Sequence, residues 1–236
     1  MLYRIADINL EMPAFGDMPE RMLQYELSAG KVDMGIMETD LLLSRWEDLQ
    51  DINLMYYMET GQVFYTKLLQ FQGMMLHASA VVIDGLAYIF SGPSGMGKST
   101  HAGLYLRSFG EKAEIINDDK PALRRIDGVW YAYGTPWCGK DGINSNEKAE
   151  IAGICFLRRG DQKITRLKPQ ETIVYIMAQT HRFVQPDGMR LLLPLVDKLA
   201  TEVPIFEFYN HADPNDALLT YSVMKDAYMR RDGHEA

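Results

Sequence analysis

The sequence predicts an α/β fold with a small, mostly β region at its N-terminus. Two observations favour the α/β core. Strand-like and helix-like segments mix from Met74 onward, and a glycine-rich loop stands between a strand-like and a helix-like segment. A third observation separates residues 1–72, where short β-like runs are punctuated by glycine and proline. We therefore divide the chain into an N-terminal region, residues 1–72, and a core, residues 73–236.

The composition excludes several classes of protein before any motif is considered. The chain has 236 residues, 47% of them apolar and 24% charged, which is typical of a globular domain. Two cysteines are too few for a disulfide framework and favour a reducing, cytoplasmic environment. A net charge of −8 without a block of Lys and Arg argues against a general nucleic-acid binder. No run approaches the ~20 apolar residues of a membrane helix, and no signal-peptide pattern opens the chain.

The N-terminal region is predicted from short patterns. Partial alternation over residues 1–10 and β-like runs over 31–39 and 53–58 predict strands. The stretch 41–49 is compatible with either a short helix or another strand. Nothing in this region resembles a catalytic cluster.

The core begins with a predicted strand over 75–83, a two-residue turn at Asp84-Gly85 and a returning strand over 86–90. After the glycine-rich loop the pattern predicts a helix over 99–108 and a strand over 113–116. The further predicted elements are a hairpin of 122–126 and 129–133 around Asp127-Gly128, a strand over 152–157, helices over 170–180 and 189–201, a strand over 203–208, and a terminal helix that Asp213-Pro214 starts and that ends near 231.

The segment Gly92–Ser99 matches G-x-x-x-x-G-K-S/T, a pattern that binds phosphate groups. Its glycines let the backbone turn and approach a phosphate closely, and its amides can point inward at the start of a helix whose dipole favours anions. Lys98 would bridge the β- and γ-phosphates of ATP, and the Ser99 hydroxyl would ligate Mg²⁺. We expect the nucleotide to be held by Gly92, Ser94, Gly95, Met96, Gly97, Lys98, Ser99 and Thr100.

Two adjacent carboxylates, Asp118 and Asp119, follow the predicted strand over 113–116. A phosphoryl-transfer enzyme of this type needs a carboxylate at the end of a neighbouring strand to hold Mg²⁺. A kinase also needs a base beside the acceptor hydroxyl. Successive residues leaving a strand diverge in direction, so the pair can supply both groups. The alternative is a solvated Asp-Asp turn without a ligand.

The histidines and a second glycine-rich turn leave alternatives open. His77 lies in an apolar strand-like segment, where a lone histidine is more often a hydrogen-bonded core residue than a catalytic one. The other histidines show no zinc-ligand spacing.

Residues 133–140 form a glycine-rich turn that carries Trp137 and Lys140. This turn is either a substrate loop or a structural turn that packs the tryptophan.

His77, the Gly92–Ser99 loop and the Asn117-Asp118-Asp119 step occur in an order that resembles the catalytic domain of HPr kinase/phosphorylase. The chain resembles shorter relatives of that domain more closely, over residues 75–210. The resemblance implies a P-loop core related to phosphoenolpyruvate carboxykinases, with ATP and Mg²⁺ as cofactors and a serine on a protein or peptide partner as acceptor. It also allows for a homo-oligomer as a partner arrangement, because HPr kinases are hexamers.

The resemblance implies a role for each matched residue. His77 corresponds to the active-site histidine, and Lys98 and Ser99 correspond to the phosphate and metal ligands. Asp118 corresponds to the carboxylate that deprotonates the acceptor serine, and Asp119 to its acidic neighbour near the metal. Together they form the predicted catalytic set of Asp118, His77 and Lys98, with Ser99 and Asp119 at the metal.

The chain departs from the family after the acidic pair. The family carries a Glu-x-Arg-Gly stretch there, whereas residues 134–140 contain no acid before Asp141, so the metal shell and the acceptor side are expected to differ. The family's distal arginine has three candidates: Arg158, Arg159 and Arg166. The resulting hypothesis is a kinase acting on a serine of a protein or peptide. The alternatives are a small-molecule hydroxyl kinase and a nucleotide-binding regulatory module without an acceptor.

Overall fold

The computed structural model describes residues 1–46, 50–181, 186–211 and 213–231. The N-terminal part holds a small three-stranded sheet with helical segments around it. Its strands and α-helices are β1 (Leu2–Ile5), β2 (Ile8–Glu11), α1 (Met18–Arg21), β3 (Met34–Gly35) and α2 (Ile52–Leu68). The undecided stretch 41–49 forms a 3₁₀-helix at Leu43–Trp46, and residues 47–49 lie outside the described residues.

Helix α2 shows that the predicted strand over 53–58 is wrong, and the N-terminal region is less β-rich than expected. The Asp51 side chain accepts hydrogen bonds from the backbone amides of Asn53 and Leu54, which caps the start of the helix. The helix then runs for 17 residues and buries Phe64 and Leu68 in the N-terminal apolar cluster. Tertiary packing therefore decides the conformation of this segment.

The core follows the predicted order of elements more closely. Its helices and strands are β4 (Gly73–Met75), β5 (Ala78–Ile83), β6 (Leu86–Ser91), α3 (Lys98–Phe109), β7 (Ala113–Asp119), β8 (Ala122–Ile126), β9 (Val129–Tyr133), β10 (Lys148–Arg159), β11 (Lys163–Arg166), α4 (Pro169–Gln179), α5 (Pro186–Glu202), β12 (Ile205–Asn210) and α6 (Pro214–Arg231).

Both predicted hairpins are confirmed. Asp84 and Gly85 have φ of 51° and 77°, and Asp127 and Gly128 have φ of 50° and 90°, as a two-residue turn with two left-handed residues requires. The predicted N-cap of the last helix is confirmed as well, since the Asp213 side chain accepts from the backbone amide of Asn215.

Four details of the core differ from the prediction. The strand expected over 75–83 is split between β4 and β5, and β11 was not predicted. The strand expected over 113–116 extends to Asp119, and the strand expected over 152–157 runs from Lys148 to Arg159. Strand β7 is longer because Asn117, Asp118 and Asp119 pair with Ala80, Ser79 and Ala78 of β5.

The topology gathers several strand ends at one edge of the sheet. The strand order is β4-β8-β9-β10-β6-β5-β7, with β12 beside β10 and β11 beside β12. Strands β6, β10 and β12 run parallel, and β5 is antiparallel to both β6 and β7. Strands β6, β7, β10 and β12 therefore all end at the edge where β5 begins.

Apolar clusters lie on both faces of the large sheet. Helices α4 and α5 bury Ile176, Leu195 and Leu199 against one face, and α3 and α6 bury Tyr105 and Met224 against the other. The N-terminal elements share a third cluster with β8, β9 and the turn after β9. Among the described residues, no helix combines the length and the apolar character that a bilayer crossing requires.

Candidate active site

The register of β5 with its two neighbours places three sequence segments side by side. Ala78 lies opposite Ser91 at the end of β6 and opposite Asp119 at the end of β7. His77 directly precedes Ala78, and the glycine-rich loop directly follows Ser91. Ser91 also donates a hydrogen bond from its hydroxyl to the His77 carbonyl, at 2.9 Å. His77, the loop and the acidic pair therefore share one strand edge.

The glycine-rich loop connects β6 to α3, which is the strand–loop–helix order that its sequence pattern requires. Gly92, Gly95 and Gly97 have φ of 149°, 77° and 90°, in the region that favours glycine. Helix α3 starts at Lys98, so the amides of its first turn lie next to the loop. The side chains of Ser94, Ser99 and Thr100 are exposed there.

Lys98 lies against its own loop. Its Nζ donates to the carbonyl oxygens of Gly92, at 3.0 Å, and Pro93, at 3.4 Å, and the residue is only 8% exposed. Burial lowers the pKa of Lys98, while the nearby charges of Asp119 and Asp118 act in the opposite direction. The loop lysine and the two carboxylates therefore lie within electrostatic range of one another.

Asp118 is buried and fixed on several sides. The residue is 6% exposed, and its Oδ1 accepts a short hydrogen bond from the Ser79 hydroxyl on β5. Its backbone amide donates to Ile143 O at 3.0 Å, and its carbonyl accepts from the Gly139 amide at 2.5 Å. The carboxylate position is therefore set by the sheet and by the turn after β9.

Asp119 is more open and lies between the side chains of His77 and Lys120. His77 Nε2 is 3.0 Å from Asp119 Oδ1, and the Lys120 ammonium contacts Oδ2. Burial raises the pKa of Asp119, but the hydrogen bonds and charges of His77 and Lys120 outweigh it and hold the pKa well below its usual range. The φ of Asp119 is 119°, a strained backbone conformation for a residue with a side chain.

His77 is held by the end of α4 as well as by Asp119. Its backbone amide donates to Gln179 O at 2.7 Å, and its Nδ1 lies 3.3 Å from Gln179 Oε1. The side chain is 30% exposed, so His77 is a half-buried residue at the candidate site and not a core histidine. Its catalytic role stays a prediction.

Two adjoining cavities open beside these residues. One has a volume of about 300 Å³ and is lined by Met75, His77, Asp119, Lys120, Gln179 and neighbours. The other, of about 270 Å³, is lined by Gly92, Pro93, Arg158, Val174 and neighbours. Both include Ala178 and Gln179, so the end of α4 joins the acidic pair to the start of the loop.

The turn over residues 133–140 packs its tryptophan in the interior, as the structural one of the two alternatives expects. Trp137 is fully buried, stacks on Phe64 with ring centroids 4.6 Å apart, and donates from Nε1 to Thr60 Oγ1 at 3.2 Å. The turn also holds the backbone of the candidate site, since the Gly139 amide donates to the carbonyl of Asp118 and the Thr135 hydroxyl donates to the carbonyl of Lys120 at 3.0 Å.

The three candidate arginines have different positions. Arg159 Nη2 donates to Gly95 O at 2.8 Å and so contacts the glycine-rich loop. Arg158 is paired with Glu207, from Nε to Oε1 at 3.1 Å. Arg166 lies on β11, in register with Phe206 of β12.

Sequence reasoning missed three residues of the site: Ser79, Lys120 and Gln179. Ser79 could have been found from the strand pairing, because a residue opposite Asp118 on a neighbouring strand is within reach of its carboxylate. Lys120 is the next residue after the acidic pair. Gln179 is 102 positions from His77 and carries no local signal.

The donor set fits Mg²⁺ that arrives with a nucleotide. Mg²⁺ usually takes one or two carboxylates, several waters and substrate phosphates, not a complete protein cage. Ser99 would offer its exposed hydroxyl, and Asp119 a carboxylate that now contacts Lys120. Within the described residues no group of three or more His, Cys, Asp or Glu side chains forms a metal site by itself.

Comparison with known proteins gives a distant structural match. No model of a known protein family and no curated protein sequence matches the chain. Among solved structures, the chain is similar to the HPr(Ser) kinase/phosphatase from Coxiella burnetii, with 13% identity and a TM-score of 0.39. That match covers 67% of this chain and 98% of the other. The likeness is too weak to assign a family, so the geometry of the site has to support any functional proposal.

Proposed function

We propose that this protein is an ATP- and Mg²⁺-dependent kinase that phosphorylates a hydroxyl group, and that the acceptor is a serine of a protein or peptide. The observation that carries the proposal is the strand edge that the glycine-rich loop, Lys98, Asp118 and Asp119 share. A phosphate-binding loop facing a carboxylate pair supplies the parts that phosphoryl transfer requires.

In the proposed reaction the loop amides and Lys98 hold the polyphosphate, and Ser99 and Asp119 would hold Mg²⁺. Bound Mg²⁺ would neutralise charge on the β- and γ-phosphoryl oxygens. Asp118 orients the acceptor hydroxyl and takes its proton. The hydroxyl oxygen forms a bond to the γ-phosphorus, and the bond from that phosphorus to the bridging oxygen breaks, so that ADP leaves with the electron pair. Lys98 stays with the phosphates as their charge redistributes.

His77 and Lys120 have supporting roles in this proposal. Each contacts one oxygen of Asp119, so the carboxylate stays ionised and oriented before the nucleotide binds. Lys120 lines the same cavity as His77, beside the Asp119 carboxylate that would hold Mg²⁺. There its ammonium can attract the transferred phosphoryl group.

The open surface supports a peptide acceptor over a small metabolite. The two cavities that meet at Gln179 leave room for an extended segment from the acidic pair toward Gly92. The net charge of −8 also favours a basic partner. A small-molecule hydroxyl kinase would use the same residues and is the second candidate. A regulatory module without an acceptor would have no need of a base such as Asp118.

The test is to incubate the purified protein with γ-labelled ATP, Mg²⁺ and an extract of its source, separated into macromolecular and small-molecule pools. Asp118→Asn is the inactive variant. Asp127→Asn is the matched control, because it makes the same change at an exposed hairpin turn. We expect label in the macromolecular pool with the wild type and the control, and none with Asp118→Asn.

Label in the small-molecule pool alone would replace the peptide acceptor with a metabolite. Binding of ATP without transfer to either pool would support the regulatory module instead. Equal labelling by the wild type and Asp118→Asn would remove the role assigned to Asp118.

A further inference from the structure

We propose that the nucleoside part of the nucleotide, its base and ribose, occupies a cavity of about 470 Å³ between the glycine-rich loop and the ends of β10 and β12. This inference rests on the proposed function and assigns a binding site to residues that the sequence pattern does not include. Its lining residues outside the loop are Arg159, Gly160, Asp161, Asn210 and His211.

The direction of the polyphosphate follows from the position of Lys98. In loops of this pattern the lysine reaches the β- and γ-phosphates, and the backbone amides cradle the α- and β-phosphates. Lys98 lies near Gly92, Asp118 and Asp119, so the γ-phosphate end is the end next to the acidic pair. The α-phosphate end then lies on the other side of the loop, toward the first turn of α3.

The 470 Å³ cavity opens on that α-phosphate side. The loop contributes Gly95, Met96, Gly97 and Thr100 to its wall. The cavity on the opposite side is lined by Gly92 and Pro93 and joins the acceptor cavity at Gln179. A nucleoside placed there would block the acceptor, whereas one placed in the 470 Å³ cavity leaves the acceptor side open.

The size and chemistry of the cavity suit a nucleoside. Its volume falls within the ~300–1,000 Å³ of typical small-molecule sites. Arg159 and His211 are exposed and offer planar faces on which a base can stack. Asn210 Nδ2 donates to Arg158 O at 2.9 Å, which leaves its side-chain carbonyl for a ribose hydroxyl. Asp161 can accept from a second hydroxyl.

The position of Arg159 links this cavity to the loop. Its Nη2 donates to Gly95 O at 2.8 Å, so one guanidinium nitrogen holds the loop and the others remain for the ligand. Since Arg159 ends β10 and Asn210 ends β12, the two parallel strands present both side chains at the same sheet edge. The fold thus places the proposed nucleoside site next to the glycine-rich loop.

The test compares the binding of Mg²⁺–ATP with that of Mg²⁺–tripolyphosphate by calorimetry, because tripolyphosphate carries the phosphates without the nucleoside. The variant is His211→Ala, whose exposed side chain is not needed for folding. The comparison variant is Val174→Ala, at a residue that is 71% exposed on the Gly92 side of the loop. We expect His211→Ala to weaken ATP binding about tenfold and to change tripolyphosphate binding less than twofold. Val174→Ala should change neither.

Three results would overturn the inference. Equal affinity of the wild type for ATP and tripolyphosphate would mean that no nucleoside site exists, although phosphate binding would stand. A loss of ATP affinity in Val174→Ala, with none in His211→Ala, would place the nucleoside on the Gly92 side. If the wild type binds neither compound, the proposed kinase function fails and this inference fails with it.

Discussion

Asp118 and Asp119 are neighbours in one strand, yet their surroundings differ. Asp118 is buried and bonded to a neutral hydroxyl, that of Ser79, whereas Asp119 is half-buried and contacts the His77 ring and the Lys120 ammonium. Two carboxylates in different environments can take different chemical roles. Asp118, near the loop lysine and fixed by a neutral partner, suits the proposed base, and Asp119, whose pKa His77 and Lys120 hold low, suits the proposed metal ligand.

This difference predicts different losses when each carboxylate is replaced by an amide. Asp118→Asn is expected to lower the turnover at saturating ATP and Mg²⁺ by about 10²–10⁴-fold, the range for loss of a general base, with ATP affinity nearly unchanged. Asp119→Asn is expected to raise the Mg²⁺ concentration for half-maximal turnover by about tenfold or more. Steady-state kinetics over a Mg²⁺ titration measure both effects. The roles are reversed if Asp119→Asn loses turnover at every Mg²⁺ concentration and Asp118→Asn recovers it at high Mg²⁺.

For single residues of the candidate site, the sequence pattern predicted those that lie close together in the chain. The glycine, lysine and serine positions follow a local spacing, and the glycines lie between β6 and α3 while Lys98 and Ser99 begin α3. Ser79 and Gln179 were missed because their contacts with Asp118 and His77 depend on strand register and on where α4 ends. Register and packing arise from the whole fold, and no short pattern encodes them.

Helix α2 is the element that sequence reasoning assigned wrongly. Residues 54–58 form a short apolar run, which periodicity alone cannot assign to a strand or a helix. Its buried side includes Thr60 and Gly61, and Gly61 is small because a Cβ there would lie 2.7 Å from Cδ1 of Trp137. Trp137, which packs against this helix, is therefore more than seventy residues away in the sequence.

The cap of this helix gives a test of its stability. Asp51→Ala removes the side chain that accepts from the amides of Asn53 and Leu54, and it should lower the free energy of unfolding by about 1 kcal/mol. Asp51→Asn keeps a capping oxygen and should lie within a few tenths of a kcal/mol of the wild type. Urea unfolding measures both variants. Equal stability of the Ala and Asn variants would mean that the cap contributes nothing.

The turn after β9 packs closely against β7 and gives a second test. A Cβ at Gly134 would lie well inside contact distance of the carbonyl oxygens of Ser145 and Ile116, both backbone atoms. Gly134→Ala should therefore lower the free energy of unfolding by about 3 kcal/mol. Gly35→Ala is the matched control, because no atom lies within 4 Å of its added Cβ. A Gly134→Ala protein as stable as the control would contradict the close packing of this turn.

Considered as a whole, the molecule places the candidate site at one edge of the large sheet and two of its apolar clusters on the two faces. The ends of β6 and β7 carry the loop and the acidic pair, and the ends of β10 and β12 carry Arg159 and Asn210. Helix α3 connects the edge to the interior, because it starts at the loop and packs on the sheet with α6. A change in the α3–α6 contact therefore acts on the stability of the helix that follows the glycine-rich loop.

His101 lies one turn into α3, and it should make the stability of the α3–α6 contact depend on pH. Its Nε2 lies 3.1 Å from Thr220 Oγ1, and its Nδ1 is buried without a partner among the described residues. Burial lowers the pKa of His101 to about 4, against the opposing charge of Asp216. The unfolded chain binds a proton below pH 6.5 and the folded protein does not, so this residue should cost stability as the pH falls from 6.5 to 4.

The stability that His101 costs at acid pH can be measured against a variant without an ionisable ring. A pKa difference of this size corresponds to about 3 kcal/mol at pH 4, over and above the losses from other groups. His101→Phe retains a ring beside Phe90 and Tyr105 and has no proton to bind. Urea unfolding at pH 7.5 and pH 4 should therefore show a steeper loss for the wild type than for His101→Phe, by about that amount. Parallel losses in the two proteins would mean that His101 is protonated in the folded state without penalty, and that the α3–α6 contact admits water.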